Sequence, residues 1–247
     1  MSGSLHSRPC GLAYRLHGPA NRLLNQLCHF GEGTLVLRQQ GLSLATLTPF
    51  GLFVASGRKG WHRVRDAISG LESDLRQPHH VHLFADPGGR RPVFAMGKPG
   101  GNVDLSVRFV GLGWESRPVR EVIDAFDGIP VGAREAGIPG AGAWLDEWDQ
   151  KAPGPGNVPW DVAAALDSCR CLEVEVRTGM HRASAAFRPT FLDSDGSVVR
   201  IADAGRKHVV FADTGSAGFH WASLAPGHLR IAAGPESRAA GLVLPAA

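Results

Sequence analysis

The chain has 247 residues, of which 43% are hydrophobic and 20% are charged, so it can bury a full core in one large domain or two small ones. Its formal net charge of +3 is too small to indicate a protein that binds nucleic acid or a membrane surface. No apolar run is long enough to cross a bilayer, and residues 1–9 lack the apolar stretch of a secretory signal. With four cysteines that lack disulfide or zinc spacing, these features predict a cytoplasmic protein with free thiols.

The first half begins with a short helix and continues in strands. Gly18-Pro19 and Gly31 bound the helix, and strands are expected at residues 34–38, 42–47 and 51–55. Apolar residues then recur at nearly helical spacing from Trp61 to Leu75. This spacing predicts a second helix.

Two β-hairpins are predicted from short apolar runs that flank a Pro-Gly turn. Asp86-Pro87-Gly88-Gly89 separates the runs of the first hairpin, and Pro226-Gly227 separates those of the second. Between the hairpins, a strand is expected at residues 103–110, and Ser116 is expected to cap a helix that reaches Phe126.

The composition changes between the two hairpins. Gly and Pro are frequent from residue 128 to 158, and Trp144 and Trp148 lie among acidic residues, so we interpret this stretch as a linker. Residues 1–127 and 159–247 form the two halves on either side of it. The sequence therefore predicts an α+β protein of two similar halves, each a short helix followed by an antiparallel sheet with a Pro-Gly hairpin.

The similarity of the halves rests on segments that recur in the same order. The segments Leu27–Arg38 and Phe53–Lys59 of the first half match Leu166–Arg177 and Arg200–Lys207 of the second. A histidine and then a hairpin follow in each half. We expect an internal duplication.

Four segments carry a resemblance to a known protein family: Ala20 to Arg38, His80 to Gly89, Cys171 to Val174 with Thr178-Gly179, and Val198 to Phe211. Through these segments the chain resembles the HemS/ChuS family of bacterial cytoplasmic haem-handling proteins. The first segment is similar to the opening helix, Gly-Glu pair and first strand of that family, the second to its hairpin, and the last two to the strands of its second half. The resemblance implies haem binding in the cytoplasm, for haem trafficking or for haem-dependent or haem-degrading oxidoreductase chemistry.

Two departures from the family pattern bear on the site. The axial haem ligand of the family is a histidine a few residues beyond a tryptophan, whereas Trp148 is followed here by Asp149-Gln150-Lys151-Ala152-Pro153. The family's iron ligand therefore has no counterpart at that position. The chain is also shorter than the family's members with two halves.

Haem binding requires an apolar slot, an iron ligand and cations for the two propionates. Each Gly-Arg-Lys segment places two cations beside a histidine. The candidates are Arg58, Lys59, Trp61, Arg206 and Lys207 for the cofactor and His62 and His208 for the metal. His62 is the better ligand candidate of the two, because it follows Trp61. The alternative interpretation is a pair of solvated basic turns.

Other readings stay open. The chain could keep the scaffold as a haem-free accessory or interaction protein, or it could be a metal enzyme built on His80 and His82, which share one face of a strand. The partners we expect are haem or another small planar ligand, with neither nucleic acid nor a membrane; a homodimer is left open. No nucleophile elbow or phosphate-binding loop is found, so an enzyme here would depend on a bound cofactor.

Overall fold

A computed structural model of the protein describes residues 13–55, 62–76, 78–86, 88–99, 103–132, 160–195, 198–213 and 219–233. None of the helices in these ranges is long and apolar enough to cross a membrane. Cys28, Cys169 and Cys171 are free thiols. Trp144 and Trp148 lie outside the described residues.

The helices are few and short. Helix α1 spans Ala20–Asn25 and continues in a 3₁₀ turn, Gln26–His29. Helix α2 spans Arg117–Ala125, and α3 spans Trp160–Asp167. The predicted helices at the start of the chain and after Ser116 are confirmed. Ser116 occupies the N-cap position, but its side chain makes no capping hydrogen bond.

Seventeen strands occupy most of the described chain. In the first half and the predicted linker they are β1 Ala13–Leu16, β2 Glu32–Gln39, β3 Leu42–Pro49, β4 Phe53–Ala55, β5 Arg63–Asp66, β6 Glu72–Asp74, β7 His80–Ala85, β8 Pro92–Gly97, β9 Val103–Phe109 and β10 Ile129–Val131. In the second half they are β11 Cys171–Arg177, β12 His181–Phe187, β13 Phe191–Asp195, β14 Val198–Ala202, β15 His208–Asp213, β16 Phe219–Ala225 and β17 His228–Ala233.

The strands form two large, mainly antiparallel sheets. The ten-stranded sheet has the order β10-β1-β7-β8-β9-β2-β3-β15-β14-β13, and the seven-stranded sheet has the order β16-β17-β11-β12-β6-β5-β4. Among these pairs, β11 and β17 run parallel. The predicted fold of few helices and extended antiparallel sheets is confirmed.

Each sheet contains strands from both halves of the chain. Strands β13 to β15 of the second half extend the ten-stranded sheet through β3, and β4 to β6 of the first half extend the seven-stranded sheet through β12. The two halves therefore do not fold as separate lobes but share both sheets.

The predicted helix from Trp61 to Leu75 is wrong. Residues 63–66 and 72–74 form β5 and β6, which pair with each other, and residues 67–71 turn between them. The reason is Asp66, whose buried carboxylate accepts hydrogen bonds from the backbone N–H groups of Ile68 and Ser69 and from the Ser69 hydroxyl. A carboxylate that accepts these hydrogen bonds stabilises a turn after Asp66 and so ends β5 there.

Antiparallel strand pairs occur in the stretches that were predicted as hairpins and as the linker. Strands β7 and β8 pair from Ala85 and Pro92 outward, and β16 and β17 pair with a turn at Gly227, whose φ is +75°. Within the predicted linker, β10 pairs with β1 at the edge of the ten-stranded sheet.

The main core lies between the two sheets. It joins side chains of the ten-stranded sheet, such as Leu37 and Leu105, to Val176 and Ile231 of the seven-stranded sheet, and α1 adds Leu23. All five side chains are at most 1% exposed. Burial of this apolar area supplies the main driving force for packing one sheet on the other.

Candidate functional site

A groove opens between α3 and the outer strands of the ten-stranded sheet. Its volume is about 480 Å³, which is within the range of small-molecule sites. The lining includes Leu166, Asp167, Thr190, Phe191, Leu192 and Ile201. The groove is therefore mainly apolar, with one carboxylate at the end of α3.

His208 lies on the same face of the sheet as Leu192 and Ile201, two of the residues that line the groove. The register pairs Leu192 with Ile201 and Ile201 with Val210, and side chains two residues apart in a strand share a face. His208 therefore projects from the same face as Ile201, and the register continued by one step places it in line with Asp203, just after β14, and Thr190, just before β13. Because neighbouring strands are about 4.8 Å apart, His208 and Thr190 lie about 10 Å apart.

The environment of His208 holds its imidazole in one place. Its Nδ1 lies 3.3 Å from the Thr46 hydroxyl, and its ring stacks on Phe187 with 5.5 Å between centroids. Burial lowers the pKa of His208; Asp203 opposes the shift and Lys207 adds to it. The ring is therefore neutral at neutral pH, which is the form that ligates iron.

The turn before His208 carries the predicted cations Arg206 and Lys207, both of them exposed. Asp203 organises this turn, because its carboxylate accepts the Lys207 N–H at 2.7 Å and its carbonyl accepts the Arg206 N–H at 3.0 Å. The Arg206 guanidinium lies 5.5 Å from the centre of the Phe191 ring, and that of Arg200 lies 5.1 Å away. Phe191 pairs with Ala202, so these two guanidiniums lie on the face of the sheet opposite Leu192, Ile201 and His208.

The structure does not bring His62 to this groove. His62 is exposed just before β5, and its carbonyl accepts the Leu75 N–H. The register of β5, β6 and β12 aligns His62 with the His181 end of β12, whereas His208 stacks on Phe187 at the other end. At about 3.3 Å per residue, the two ends are about 20 Å apart.

The remaining predicted site residues, Arg58, Lys59 and Trp61, lie outside the described residues. The two Gly-Arg-Lys segments also occupy different connections. The first lies between β4 and β5, the first two strands of its three-stranded unit, while the second lies between β14 and β15, the last two of theirs. Their sequence likeness therefore does not correspond to equivalent places in the sheets.

The metal alternative rests on His80 and His82, whose rings are 6.0 Å apart on β7. Within the described part of the chain, no three His, Cys, Asp or Glu side chains are grouped so that they could hold a metal ion. The third ligand that such a site needs is thus missing from those residues.

Sequence reasoning missed the residues that surround His208. Thr46 comes from the first half, and it lies 162 positions away along the chain. Phe187 comes from β12 of the other sheet. No local pattern in the sequence identifies these neighbours, because Thr46 meets His208 only when β15 pairs with β3, and Phe187 meets it only when the two sheets pack together.

The architecture defines a class of fold shared with bacterial haem proteins. The fold matches apo-PhuS, a haem-binding protein from Pseudomonas aeruginosa, with a TM-score of 0.56 and 11% identity over 83% of this chain and 71% of that one. It also matches ChuS, an E. coli haem oxygenase, with a TM-score of 0.56 and 14% identity over 82% and 72% of the two chains.

A second structure of ChuS, a haem-degrading enzyme of Escherichia coli O157:H7, matches with a TM-score of 0.57 and 14% identity over 83% of this chain and 71% of that one. No family model and no curated protein sequence matches this chain. Because the sequence identities are only 11–14%, these matches establish a similar fold and nothing further. The resemblance drawn from the sequence is thus supported as a HemS/ChuS-like fold.

Proposed function

We propose that this protein binds haem in the groove between α3 and strands β13 to β15, with His208 as the iron ligand. The observation that carries the proposal is a neutral, half-buried imidazole beside an apolar groove of about 480 Å³, in a fold shared with haem proteins. An apolar slot with a single nitrogen ligand meets the first two requirements of haem binding.

The groove lining supplies apolar surface for a porphyrin, and His208 lies on the same face of the sheet as Leu192 and Ile201, outside the lining itself. Leu166, Leu192 and Ile201 supply an apolar wall that excludes water from a flat ring. Thr46 holds the Nδ1 side of His208, which orients the ring in the way that supporting hydrogen bonds orient metal-ligating histidines. Lys207 and Arg206, exposed in the adjacent turn, are the proposed cations for the propionates; in this role the Arg206 guanidinium would leave the Phe191 ring on the opposite face of the sheet.

When bound, the haem iron would supply electron transfer or oxygen chemistry, and the chain's own residues position and shield it. In this proposal the protein is a cytoplasmic haem carrier, or a haem-dependent or haem-degrading oxidoreductase. His62 is the second candidate ligand, together with Arg58, Lys59 and Trp61. It would serve a separate site at the far end of β12.

The test is a haemin titration followed by visible absorption. We expect a Soret band with the wild-type protein, a shifted band and at least about tenfold weaker binding with His208→Ala, and no change with the matched variant His62→Ala. If His62→Ala weakens binding and His208→Ala does not, His62 is the iron ligand instead.

A second pair of variants tests the groove without touching a histidine. Thr190→Trp fills the groove from an exposed position and should weaken haemin binding. Ser184→Trp, at an exposed position of β12 outside the groove, should leave it unchanged. Equal haemin affinities of the two variants would contradict the assignment of the groove.

A haem-free accessory protein is the second candidate function. It is favoured by Asp167, which is among the residues that line the groove and whose carboxylate would repel propionates, and by the absence of a histidine in the segment from Asp149 to Gly156 directly after Trp148. A soluble, folded protein that gives no Soret band with haemin would support this function over the first.

We also infer that the two halves are copies of one module. In support, strands β2 to β6 follow the same plan as β11 to β15: a two-stranded hairpin, then a three-stranded unit whose last strand pairs with the hairpin of the other half. An experimental structure with β4 to β6 and β13 to β15 at unmatched positions would contradict this origin.

A further inference from the structure

The outer face of the seven-stranded sheet, which points away from the core, carries a network of charged side chains. Side chains alternate between the two faces of a strand, and the core residues Val64 and Val176 show which positions point inward. The outward arginines are Arg63, Arg65, Arg177, Arg182 and Arg230, together with Arg76 after β6. The outward carboxylates are Glu72, Asp74, Glu173 and Glu175. Among the described residues of this arginine face, arginines therefore outnumber carboxylates by six to four.

Glu175 lies at the centre of the network. Its carboxylate accepts hydrogen bonds from Arg230 at 2.8 Å, from Arg177 at 2.9 Å and from Arg182 at 3.1 and 3.3 Å. Burial raises the pKa of Glu175, but the hydrogen bonds and charges of Arg182 and Arg177 outweigh burial and hold the pKa below its ordinary value. Glu175 is therefore ionised at neutral pH, and three guanidiniums share its one negative charge.

The carboxylates on β6 are likewise held by arginines of this face. Arg65 lies 3.7 Å from Glu72, and Arg63 lies 3.6 Å from Asp74. Both oxygens of Asp74 also accept hydrogen bonds from Arg76, which lower the pKa of Asp74 to about 2. These acids are thus already paired within the chain.

The arginines reach further into solvent than the acids beneath them. The side chains of Glu72, Asp74 and Glu175 are 12–34% exposed. Those of five arginines are 42–69% exposed: Arg63, Arg65, Arg76, Arg182 and Arg230. Glu173, which lies beside His228 near the β17 end, is 40% exposed. Apart from that end, the face therefore presents positive charge to a partner.

The dimensions of the arginine face match an extended acidic peptide. Strands β17, β11, β12, β6 and β5 are consecutive in the sheet, and four spacings of about 4.8 Å give a width of about 19 Å. About six residues of an extended chain, at about 3.3 Å each, cover this width. Ser184 and Ala186 are exposed between the arginines, and their small side chains let a peptide backbone approach the sheet.

Carboxylates suit this face better than nucleic acid does. Guanidinium groups bind carboxylates through pairs of parallel hydrogen bonds. Single-stranded nucleic acid is held largely by bases that stack on aromatic rings, and the described residues of this face include no Phe, Tyr or Trp.

We propose that the arginine face binds an extended acidic segment of a partner protein, whose carboxylates pair with the arginines from Arg63 and Arg65 on β5 to Arg230 on β17. Each guanidinium has five N–H donors, and Arg230 uses one of them in its hydrogen bond to Glu175. The remaining donors are the ones that the partner's carboxylates take up. This surface shares no residue with the groove beside α3 and does not depend on haem binding.

The test is the fluorescence anisotropy of a labelled peptide of eight glutamates, titrated with the full-length protein at low ionic strength, where screening is weak. We expect saturable binding that is at least about tenfold weaker with the double variant Arg63→Gln, Arg65→Gln. The matched control is Arg117→Gln, Arg120→Gln on α2, which removes two exposed, ion-paired arginines elsewhere and should leave the affinity unchanged. Far-UV circular dichroism checks that both variants are folded.

A labelled peptide of eight lysines and a ten-nucleotide oligo-dT are the comparison probes. We expect the lysine peptide not to bind and the oligonucleotide to bind more weakly than the glutamate peptide. An oligonucleotide that binds as tightly as the glutamate peptide, or more tightly, would overturn the assignment to an acidic protein segment. Absence of saturable binding of the glutamate peptide, or equal losses in the two double variants, would overturn the proposal as well.

Discussion

His181 should make the stability of the protein fall as the solution becomes acidic. This histidine is 1% exposed at the start of β12, and its Nδ1 lies 2.9 Å from the Ser73 hydroxyl on β6. Its Nε2 is buried, with no hydrogen-bond partner among the described residues. Burial, and secondarily the charge of His79, lowers the pKa of His181 from 6.5 to about 3.

The sign and size of the effect follow from proton linkage. Because the folded pKa lies below the unfolded one, the unfolded state binds more protons between the two values, and the free energy of unfolding rises with pH there. The stabilisation is fully present above the unfolded value of 6.5 and is lost as the pH falls toward about 3. Between about pH 7 and about pH 5 the loss is on the order of 2 kcal/mol.

The assay is urea unfolding at several pH values, followed by far-UV circular dichroism. His181→Asn keeps a group that can hydrogen-bond to Ser73 but cannot titrate, so its free energy of unfolding should fall by about 2 kcal/mol less than that of the wild type over this range. His29→Asn, at an exposed position, should retain the wild-type pH dependence. An unchanged pH dependence in His181→Asn would refute the argument.

Three further substitutions test the fold through their free energies of unfolding, measured in urea. Asp66→Ala should lower the free energy of unfolding by about 3 kcal/mol, because it removes a buried carboxylate that accepts several hydrogen bonds. Asp124→Ala, at an exposed position, should change the free energy of unfolding little, and equal effects of the two variants would contradict the role of Asp66. Gly227→Ala should lower the free energy of unfolding by about 1–2 kcal/mol, because its φ is +75° and an added Cβ would lie 3.3 Å from a backbone oxygen. Gly205→Ala is the control, since its Cβ would meet nothing within 4 Å, and a smaller loss at Gly227 than at Gly205 would contradict the proposed strain at the Gly227 turn. Phe109→Ala should cost about 3–5 kcal/mol, because its ring is fully buried, and a loss below about 1 kcal/mol would place it outside the core.

Local patterns in the sequence predicted local structure well. The strands expected at 34–38 and 42–47 are confirmed by β2 and β3, and the helix expected after Ser116 is confirmed by α2. The helix expected from Trp61 to Leu75 failed, because its apolar spacing also fits two short strands joined by a turn. Val64 and Leu71 are buried as the pattern suggested, but Ile68 is 59% exposed at the turn.

The candidate site depends on pairings that no local pattern contains. The sequence singled out His208 with Arg206 and Lys207, and the structure adds Thr46, which comes from the other half.

The exchange of strands between the halves has a consequence for how this protein could be divided. Cutting the chain between Gly132 and Trp160 would leave β3 and β12 still hydrogen-bonded to strands of the other fragment. The fragments should therefore remain together as a non-covalent complex, and either one produced alone would expose unpaired strand edges prone to aggregation. Co-production of both pieces should restore a soluble, complementing pair.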